Sequence, residues 1–461
     1  MKNFIINLLD LKLEDLKSFD IDDLGDKVII TITLSRASQK CPSCFRDVSK
    51  IKEYKKKTFI HQIINCRDTY IIYNSRRYVC PYCGKTFNED NPYDKTYSSI
   101  TNATLISILN EFKHYTATYS AVAKRYGISP TTVVKIVDNH IQIKRHRLQT
   151  VICIDEFYFN RHSKYKYAFL IMGFKNKLIL DIVESRQEDK LISYFHSIPL
   201  EERRKVLYVS MDMYIHYKNI IPVCLPNAVI CIDSFHVLKK INDALNSLRK
   251  RIMRKYADDK ECLEYKLLKK RYKVLLEAEE NINDTEYHFD RILGYTTSEA
   301  GVLESLLLIN SDLRVAYNLK EDYRMFNNIE EKDFNYEQYY HLLNSLIDAF
   351  ITSNIKEMAD VGKTLNNWKV EILNSFIWFD GRRISNGCIE GKNNYIKKIL
   401  SNANGMQNFA RARNRIMYSQ NQYETYNLSI GSKNIKNPGK CRNSYKNKKY
   451  TDKLENINLF F

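Results

Sequence analysis

The sequence predicts a multidomain protein of α+β and α/β structure, in which small N-terminal modules precede a large α/β domain with a long helical insertion. Three observations support this prediction. Two Cys-x-x-Cys pairs lie near the start of the chain, strand-like runs alternate with helical patterns from residue 151, and helical patterns fill most of residues 235–378. The chain of 461 residues is long enough for about three domains.

The composition excludes several classes of protein. Hydrophobic residues make up 44% and charged residues 27% of the chain, which is ordinary for a globular protein and unlike a disordered, collagen-like or membrane-embedded chain. The longest mostly apolar run without a charge, residues 219–232, has 14 residues including two prolines, and is too short to span a membrane. The N-terminus lacks a signal-peptide pattern, which predicts a cytoplasmic protein without a membrane partner.

The positive charge is concentrated in two segments. The chain carries a net charge of +18, of which residues 40–150 supply +11 and residues 431–461 supply +6. The middle segment, residues 151–430, is nearly neutral, with 40 basic and 37 acidic residues. Basic surfaces can serve solubility alone, but this concentration favours nucleic acid as the partner.

The first 90 residues predict a strand and a metal site. The N-terminal segment, residues 1–39, is interpreted as a short helix followed by a strand at Lys27–Leu34. The next module, residues 40–90, contains two cysteine pairs, whose four thiolates are the ligand set of a tetrahedral structural zinc site. The predicted zinc ligands are Cys41, Cys44, Cys80 and Cys83.

The spacer between the cysteine pairs predicts the hairpin of a zinc ribbon. Residues 58–64 and 68–75 are strand-like and could pair with each other. His61 and Cys66 are alternative metal ligands, although a face of the hairpin is the favoured position for both. Unpaired thiols or a redox role are the alternatives to zinc, but two matched pairs fit one metal ion better.

Residues 95–148 predict a helix-turn-helix DNA-binding domain. Gly127 can adopt the left-handed conformation of the turn, Ser129 suits the N-cap of the second helix, and Pro130 suits its first position. The second helix is predicted to bury Val133, Val134 and Val137. The predicted DNA contacts are Thr131, Thr132, Lys135, Lys124 and Arg125. Any tight helical hairpin has a similar pattern, but the basic surroundings favour DNA binding.

Carboxylates end two of the predicted strands. Asp155 follows the apolar run at residues 151–154, and Asp212 follows the run at residues 206–211. Side chains at the carboxyl ends of neighbouring strands can meet at one edge of a sheet, where two carboxylates can hold Mg²⁺. Glu390, on a predicted helix, offers a third ligand, and three carboxylates with two metal ions suit phosphoryl transfer. Because turns favour aspartate, strand ends alone do not distinguish these residues from other aspartates.

The ordered motifs of the chain resemble those of ISL-three-type insertion-sequence transposases, which are bacterial DDE recombinases. The resemblance extends through most of the chain and includes the zinc module, the helix-turn-helix and the catalytic domain. The runs that carry it are IDE at 154–156, VSMDM at 209–213, PNA at 226–228, DSFH at 233–236, SNGCIEGKNN at 385–394, Gly405 and RNRI at 413–416.

The resemblance implies an RNase H-like catalytic domain over residues 150–425, with an all-helical insertion at about 240–380. Asp155, Asp212 and Glu390 would be the catalytic triad that binds Mg²⁺ or Mn²⁺, while Asn393 and Lys397 on the same helix face as Glu390 are predicted to contact DNA. The expected activity is cleavage and strand transfer of an insertion sequence after binding of its terminal inverted repeats. The expected partner is double-stranded DNA, bound by a homodimer or larger assembly in the bacterial cytoplasm, associated with the nucleoid.

Some positions leave alternatives open. Asp233 and His236 could assist the catalytic site, or they could form a structural pair at the start of a helix. Ser234 and the Leu400-Ser401 pair replace basic residues that the family usually has. A catalytically inactive or domesticated DNA-binding regulator is therefore the alternative function. The basic tail, residues 430–461, is predicted to be poorly ordered because it is rich in Lys, Asn and Ser.

Overall fold

The computed structural model describes residues 6, 9, 11–64, 67–89, 93, 99–403 and 405–423. Its chain divides into two compact units, the first formed by Met1–Lys144 with Tyr395–Phe461 and the second by Arg145–Asn394. The predicted basic tail, Cys66 and most of the predicted N-terminal helix lie outside the described residues. No helix in the described part of the chain is long and apolar enough to cross a membrane.

The first unit contains a five-stranded sheet with a long hairpin. Its strands, together with the short β3–β4 pair, are β1 (Leu16–Asp23), β2 (Lys27–Leu34), β3 (Gln39–Lys40), β4 (Asp47–Val48), β5 (Ile51–Ile64), β6 (Arg67–Val79) and β7 (Thr86–Asn88). The sheet order is β1-β2-β6-β5, and β7 pairs with β6. The β5–β6 hairpin joins the two stretches predicted to pair, with Phe59 opposite Ile71. Strand β1 was not predicted, because its sequence LKSFDIDD is mostly polar and buries only Phe19.

Three helices follow the sheet in the first unit. They are α1 (Asn102–Glu111), α2 (Tyr119–Arg125) and α3 (Pro130–His140). Gly127 has a φ of +61° in the turn between α2 and α3, and the Ser129 hydroxyl caps α3 by accepting from the Thr132 N–H at 3.1 Å. The buried face of α3 contains Val133, Ile136 and Val137, whereas Val134 is only half-buried. The two predicted helices and the turn between them are present, and the buried face of the second differs by one position.

The second unit is built around a mixed five-stranded sheet. Its strands are β8 (Val151–Tyr158), β9 (Tyr167–Gly173), β10 (Ile179–Val183), β11 (Tyr208–Met211) and β12 (Val229–Ile232). The order is β10-β9-β8-β11-β12, in which β8, β11 and β12 are parallel and β9 is antiparallel to both of its neighbours. Ile152 and Ile154 join the main hydrophobic core. The alternating side chains Cys153 and Asp155 therefore face the opposite side of the sheet.

Helices follow β10, β11 and β12 and form most of the segment between residues 234 and 402, and the last of them continues past Asn394 into the first unit. They are α4 (Glu188–His196), α5 (Leu200–Arg203), α6 (Ile215–Cys224), α7 (Ser234–Arg254), α8 (Leu263–Lys270), α9 (Lys273–Leu276), α10 (Glu299–Leu307), α11 (Ser311–Asn327), α12 (Tyr336–Thr352), α13 (Lys356–Asn374) and α14 (Gly387–Asn402). The insertion predicted to be all-helical also contains a hairpin of β13 (His288–Asp290) and β14 (Tyr295–Thr297). Strands of three residues are too short to show an alternating pattern in the sequence. The last two strands, β15 (Trp378–Phe379) and β16 (Arg382–Arg383), form a second short hairpin.

The last described helix, α15 (Phe409–Gln420), belongs to the first unit, although the sequence analysis assigned residues up to 425 to the α/β domain. Its arginines are structural. Arg411 forms an ion pair with Asp138 of α3 at 2.7 Å, and the buried Arg415 donates hydrogen bonds to the carbonyls of Phe112 and His114. Ser419 donates to the Lys113 carbonyl at 2.7 Å. These bonds hold α15 against the helix-turn-helix.

Candidate functional site

The four predicted zinc ligands converge. The ligand atoms of Cys41, Cys44, Cys80 and Cys83 all lie within 4.8 Å of one another. The Sγ atoms of Cys41 and Cys83 are 3.6 Å apart, as are those of Cys44 and Cys80. Four sulfurs bound to one Zn²⁺ at ~2.3 Å would stand about 3.8 Å apart in tetrahedral geometry. The arrangement is therefore compatible with a structural zinc ion.

Two similar turns hold these cysteines. The Cys41 N–H donates to the Arg46 carbonyl, and the Cys80 N–H donates to the Lys85 carbonyl. The residue after each pair has a positive φ, 60° at Phe45 and 70° at Gly84. Gly84 adopts this conformation without the steric cost that Phe45 bears. His61, the alternative ligand, lies instead on the hairpin, where its Nδ1 is 2.9 Å from the Thr101 hydroxyl.

The sulfurs do not share one electrostatic environment. Backbone N–H groups of Cys44 and Ser43 favour the Cys41 thiolate and lower the pKa of Cys41 to about 6. The Lys85 N–H favours the Cys83 thiolate, but burial and hydrogen bonds to the other three sulfurs outweigh it and raise the pKa of Cys83 to about 11. Four thiolates are therefore not stable together without a cation, which is what a metal ion supplies.

Asp155 and Asp212 lie on the adjacent parallel strands β8 and β11, Asp155 within its strand and Asp212 directly after Met211. One Asp155 oxygen accepts from the Glu156 N–H at 2.7 Å, and the other accepts from the Asn393 amide at 2.5 Å. Burial and the negative charge of Asp212 raise the pKa of Asp155 to about 7. The two carboxylates are thus close enough to repel each other.

His236 and Asp233 flank Asp212 at the start of α7. The His236 Nε2 lies 2.8 Å from one Asp212 oxygen and 4.0 Å from an Asp233 oxygen. Burial disfavours the protonated imidazole, but the Asp212 carboxylate outweighs burial and raises the pKa of His236. Asp233 is buried and accepts from the backbone N–H groups of Asn386 and Phe235, and its pKa is raised by burial. His236 therefore contacts a predicted catalytic carboxylate, whereas Asp233 links the end of β12 to the segment before α14.

Glu390 is not brought together with the two aspartates. It is half-buried in the first turn of α14, and its carboxylate has no hydrogen-bond or ion-pair partner among the described residues. The cysteine set is the only group of at least three His, Cys, Asp or Glu side chains in the described part of the chain that could share one metal ion. Asn393, one turn after Glu390, does reach Asp155. The structure therefore assembles two of the three predicted catalytic carboxylates and the helix that carries the third.

A family model described as a transposase, that of the ISL3-type DDE transposases, matches residues 152–416, which is more than half of the chain. The chain belongs to the ISL3-type transposase family. The matched segment contains Asp155, Asp212 and Glu390, and membership implies an enzyme that cleaves and transfers DNA. No curated protein matches the chain.

The transposase also has an ion pair beside the aspartates that sequence reasoning missed. Arg186 lies 2.6 Å from Glu156, and the Tyr217 hydroxyl donates to the other Glu156 oxygen at 2.7 Å. The Arg186 guanidinium lies over the Tyr167 and Tyr214 rings, at 4.3 and 5.6 Å from their centroids. Glu156, adjacent to Asp155, was the available signal, since a cationic partner stabilises a carboxylate on a largely buried strand. Nothing in the local sequence identifies that partner as Arg186.

The residues of the transposase predicted to contact DNA differ in exposure. Lys124, Thr131 and Lys135 are exposed on α2 and α3, but Arg125 is paired with Glu111. The Thr132 hydroxyl is 2.8 Å from Ser129 Oγ. On α14, Lys397 is exposed, whereas Asn393 is 7% exposed and is bonded to Asp155. Asn393 is therefore in position to orient a carboxylate rather than to contact DNA from the surface.

Proposed function

We propose that this ISL3-type transposase binds the terminal inverted repeats of its insertion sequence, cleaves the element ends and joins them to target DNA with Mg²⁺ or Mn²⁺. Asp155, Asp212 and Glu390 would hold the metal ions. The observation that carries the proposal is the pair formed by Asp155 and Asp212 on adjacent parallel strands. The strand order of the sheet supports the RNase H-like fold expected for this family.

The electrostatics of the pair fit a divalent cation. Asp155 has a pKa near 7 because burial and the Asp212 charge disfavour its ionised form. A divalent cation between the two groups would remove that cost, and carboxylate oxygens are the ligands that Mg²⁺ prefers. The carboxylate oxygens of Asp155 and Asp212 are therefore suitable ligands for a hard divalent cation.

Glu390 would complete the site by a local movement. Glu390 and Asn393 are three residues apart on α14, which puts them on one face of the helix. Since Asn393 already donates to Asp155, Glu390 is about one helical turn from the aspartate pair. We expect metal and DNA to draw the first turn of α14 toward Asp155.

The roles of the other residues follow from their contacts. When bound, the metal ions would activate the attacking oxygen and stabilise the leaving oxygen of the phosphodiester. Asn393 holds Asp155 by its amide, and His236 holds Asp212 by its Nε2, so both would act as positioning residues. Water would be the nucleophile for cleavage, and the freed 3′-hydroxyl would be the nucleophile for strand transfer.

Recognition of the repeats would use the first unit. The exposed N-terminal surface of α3, with Thr131 and Lys135, is the part that enters the major groove in a helix-turn-helix. The basic charge of residues 40–150 favours the DNA backbone. Because two element ends must be joined together, we propose a homodimer or larger assembly on DNA.

The test is a cleavage and joining assay with duplexes that carry the DNA ends flanking the coding sequence. We expect nicking at the element end and joining in Mg²⁺, and neither in EDTA. Asp155→Asn, Asp212→Asn and Glu390→Gln should each lower the cleavage rate at least ~10³-fold, about 4 kcal/mol of barrier, while leaving the gel shift unchanged. Asp189→Asn is the matched control, because Asp189 is an exposed acid of the same unit that pairs only with Lys190.

The regulator alternative has one observation in its favour, namely that Glu390 lies apart from the aspartate pair. A regulator of this kind would shift repeat DNA in a gel but would show no Mg²⁺-dependent nicking. Full cleavage by Asp155→Asn would contradict the assignment of the catalytic site. Cleavage without joining would indicate a nuclease that uses the same residues.

A further inference from the structure

A cavity of about 350 Å³ lies beside Asp212 in the second unit. Asp212, Met213 and Tyr214, which follow β11, form one part of its lining, and α7 forms another. Neither Asp155 nor Glu390 lines it. The cavity therefore joins one of the proposed catalytic carboxylates to residues of α7 that have no role in the proposed catalysis.

The α7 side of the cavity carries positive charge. His236, Lys239 and Lys240 all line it, and their i, i+3 and i+4 spacing places them on one face of the helix. Both lysines are exposed, and neither has an ion-pair partner among the residues that the structure describes. The acidic groups Asp212 and Glu156 already have cationic neighbours, His236 and Arg186.

The cavity is also lined by an aromatic ring, that of Tyr214. Tyr214 is half-buried, and its ring centroid is 4.9 Å from that of the buried Tyr217. The Arg186 guanidinium, which also lines the cavity, is 5.6 Å from the Tyr214 centroid and places positive charge beside the ring. A partly exposed tyrosine offers a stacking surface for a nucleic-acid base without sequence preference. Asp243 is the one lining acid without a cationic partner among the described residues, and it is exposed.

We propose that this cavity holds one unpaired nucleotide of the cleaved DNA strand, next to the scissile phosphodiester. Its phosphate would contact Lys239 and Lys240, and its base would contact Tyr214. The volume is near the lower end of the ~300–1,000 Å³ of pockets that bind small molecules, so it fits a unit of nucleotide size and not a base pair within a duplex. The proposal rests on the proposed function, because it takes Asp212 as the point where the strand is cut.

Unpairing has a chemical purpose at this position. A phosphodiester within a duplex is held by the geometry of both strands, whereas an unpaired nucleotide lets the backbone turn toward Asp212. Enzymes that act on one nucleotide of a duplex commonly extrude it into a pocket, and favourable contacts in the pocket offset the lost pairing. Lys239 and Lys240 supply the charge, and Tyr214 supplies the stacking surface.

The test is permanganate reactivity of thymine, which rises when the base is unpaired. Duplexes of the element ends would carry a thymine at each position around the cleavage site in turn, with Ca²⁺ replacing Mg²⁺ to separate opening from cleavage. We expect one strongly reactive thymine adjacent to the cleavage position with the wild-type protein. The double variant Lys239→Ala with Lys240→Ala should lower that reactivity at least fivefold (about 1 kcal/mol) while still shifting the duplex in a gel. Lys250→Ala with Lys255→Ala, an equal charge change near the C-terminal end of α7 and at the residue that follows it, should leave the reactivity unchanged.

The outcomes separate this proposal from the function on which it rests. Cleavage in Mg²⁺ with no reactive thymine near the break would overturn the cavity proposal and leave the transposase function intact. Equal reactivity with the wild-type protein and the double lysine variant would also overturn it. A reactive thymine that depends on both lysines, without any cleavage in Mg²⁺, would support the cavity and contradict the proposed function.

Discussion

The two predicted metal sites of this transposase differ in how they are formed. The cysteine site takes its ligands from two short turns, and its four sulfurs are already within 4.8 Å of one another. The predicted carboxylate site takes its ligands from β8, from the end of β11 and from α14. Its third carboxylate, Glu390, lies apart from Asp155 and Asp212. In the described residues the predicted zinc ligands therefore converge, whereas the three predicted catalytic carboxylates do not.

The physical reason lies in the ligands. A cysteine sulfur can carry a proton or a charge, so a thiol can hydrogen-bond to a neighbouring sulfur, as the 3.6 Å distances allow, and the four cysteines need not all be charged. Carboxylates repel one another, and burial together with the Asp212 charge raises the pKa of Asp155. Leaving Glu390 apart avoids adding a third negative charge to this pair.

The largest effect that we predict concerns the cysteine site. Cys80→Ser should abolish binding of one Zn²⁺ per chain and unfold the two turns, because structural zinc contributes ~10 kcal/mol or more to folding of small zinc modules. Metal content by mass spectrometry and hydrogen exchange of residues 39–88 would measure this. Cys262→Ser is the control, since Cys262 only caps α8 through the Tyr265 N–H and serine can do the same. Unchanged exchange after complete zinc removal would show that the cysteines are not a structural site.

The same comparison explains what the sequence could predict. Strand β2 has the predicted limits, the hairpin pairs the predicted stretches, and Ser129 caps α3, because each depends on residues close together in the chain. The five strands of the second unit were also visible as apolar runs. The contacts of Asn393 with Asp155 and of Arg186 with Glu156 could not be predicted, because each joins residues that are far apart in sequence. The structural role of Arg415 was not predicted for the same reason.

The second prediction tests whether α14 must move. The Sγ atoms of Cys153 and Cys388 are 3.7 Å apart, and these residues lie two positions before Asp155 and Glu390. Diamide would oxidise the two thiols to a disulfide, taking up two electrons and two protons as it becomes the hydrazine. The cross-link would fix β8 to the first turn of α14, and we expect cleavage to fall at least ~10³-fold, about 4 kcal/mol, and to recover in dithiothreitol.

The control for this experiment is Cys388→Ser, which keeps every zinc ligand and should stay active in diamide. Peptide mapping would verify that Cys153 and Cys388 are the joined residues. Full activity of the cross-linked protein would mean that Glu390 reaches the metal without movement of α14. The carboxylate site would then resemble the cysteine site in needing no rearrangement to bind its metal.

The third prediction concerns pH. Below a pKa of about 7, Asp155 is protonated in the metal-free protein and does not bind metal. At limiting Mg²⁺, cleavage should therefore rise about tenfold per pH unit from pH 5 to 7, roughly 100-fold in total, and then level off. Saturating Mg²⁺ should move the midpoint to lower pH, because metal competes with the proton.

The stability of the metal-free protein should change with pH in the opposite direction to the cleavage rate. A carboxyl group whose pKa is raised on folding stabilises the fold fully below its unfolded value, near 3.8, and this stabilisation is lost as the pH rises to about 7. The metal-free protein should lose stability over that window, and Asp155→Asn should lessen the loss. A cleavage profile that is flat from pH 5 to 7 at limiting Mg²⁺ would contradict the electrostatic account of the aspartate pair.

The smallest effect that we predict belongs to the first unit, where single local residues contribute modestly. Ser129→Ala removes the N-cap of α3 and should lower the free energy of unfolding by about 1 kcal/mol. Ser129→Asp keeps an acceptor at the cap and should retain that stability, but it adds negative charge at the end of α3 that is proposed to face DNA. The aspartate variant should therefore bind repeat DNA more weakly than the alanine variant, although it is the more stable protein. Denaturant unfolding and gel-shift titrations measure the two quantities separately, and equal affinity of both variants would place the start of α3 away from the DNA.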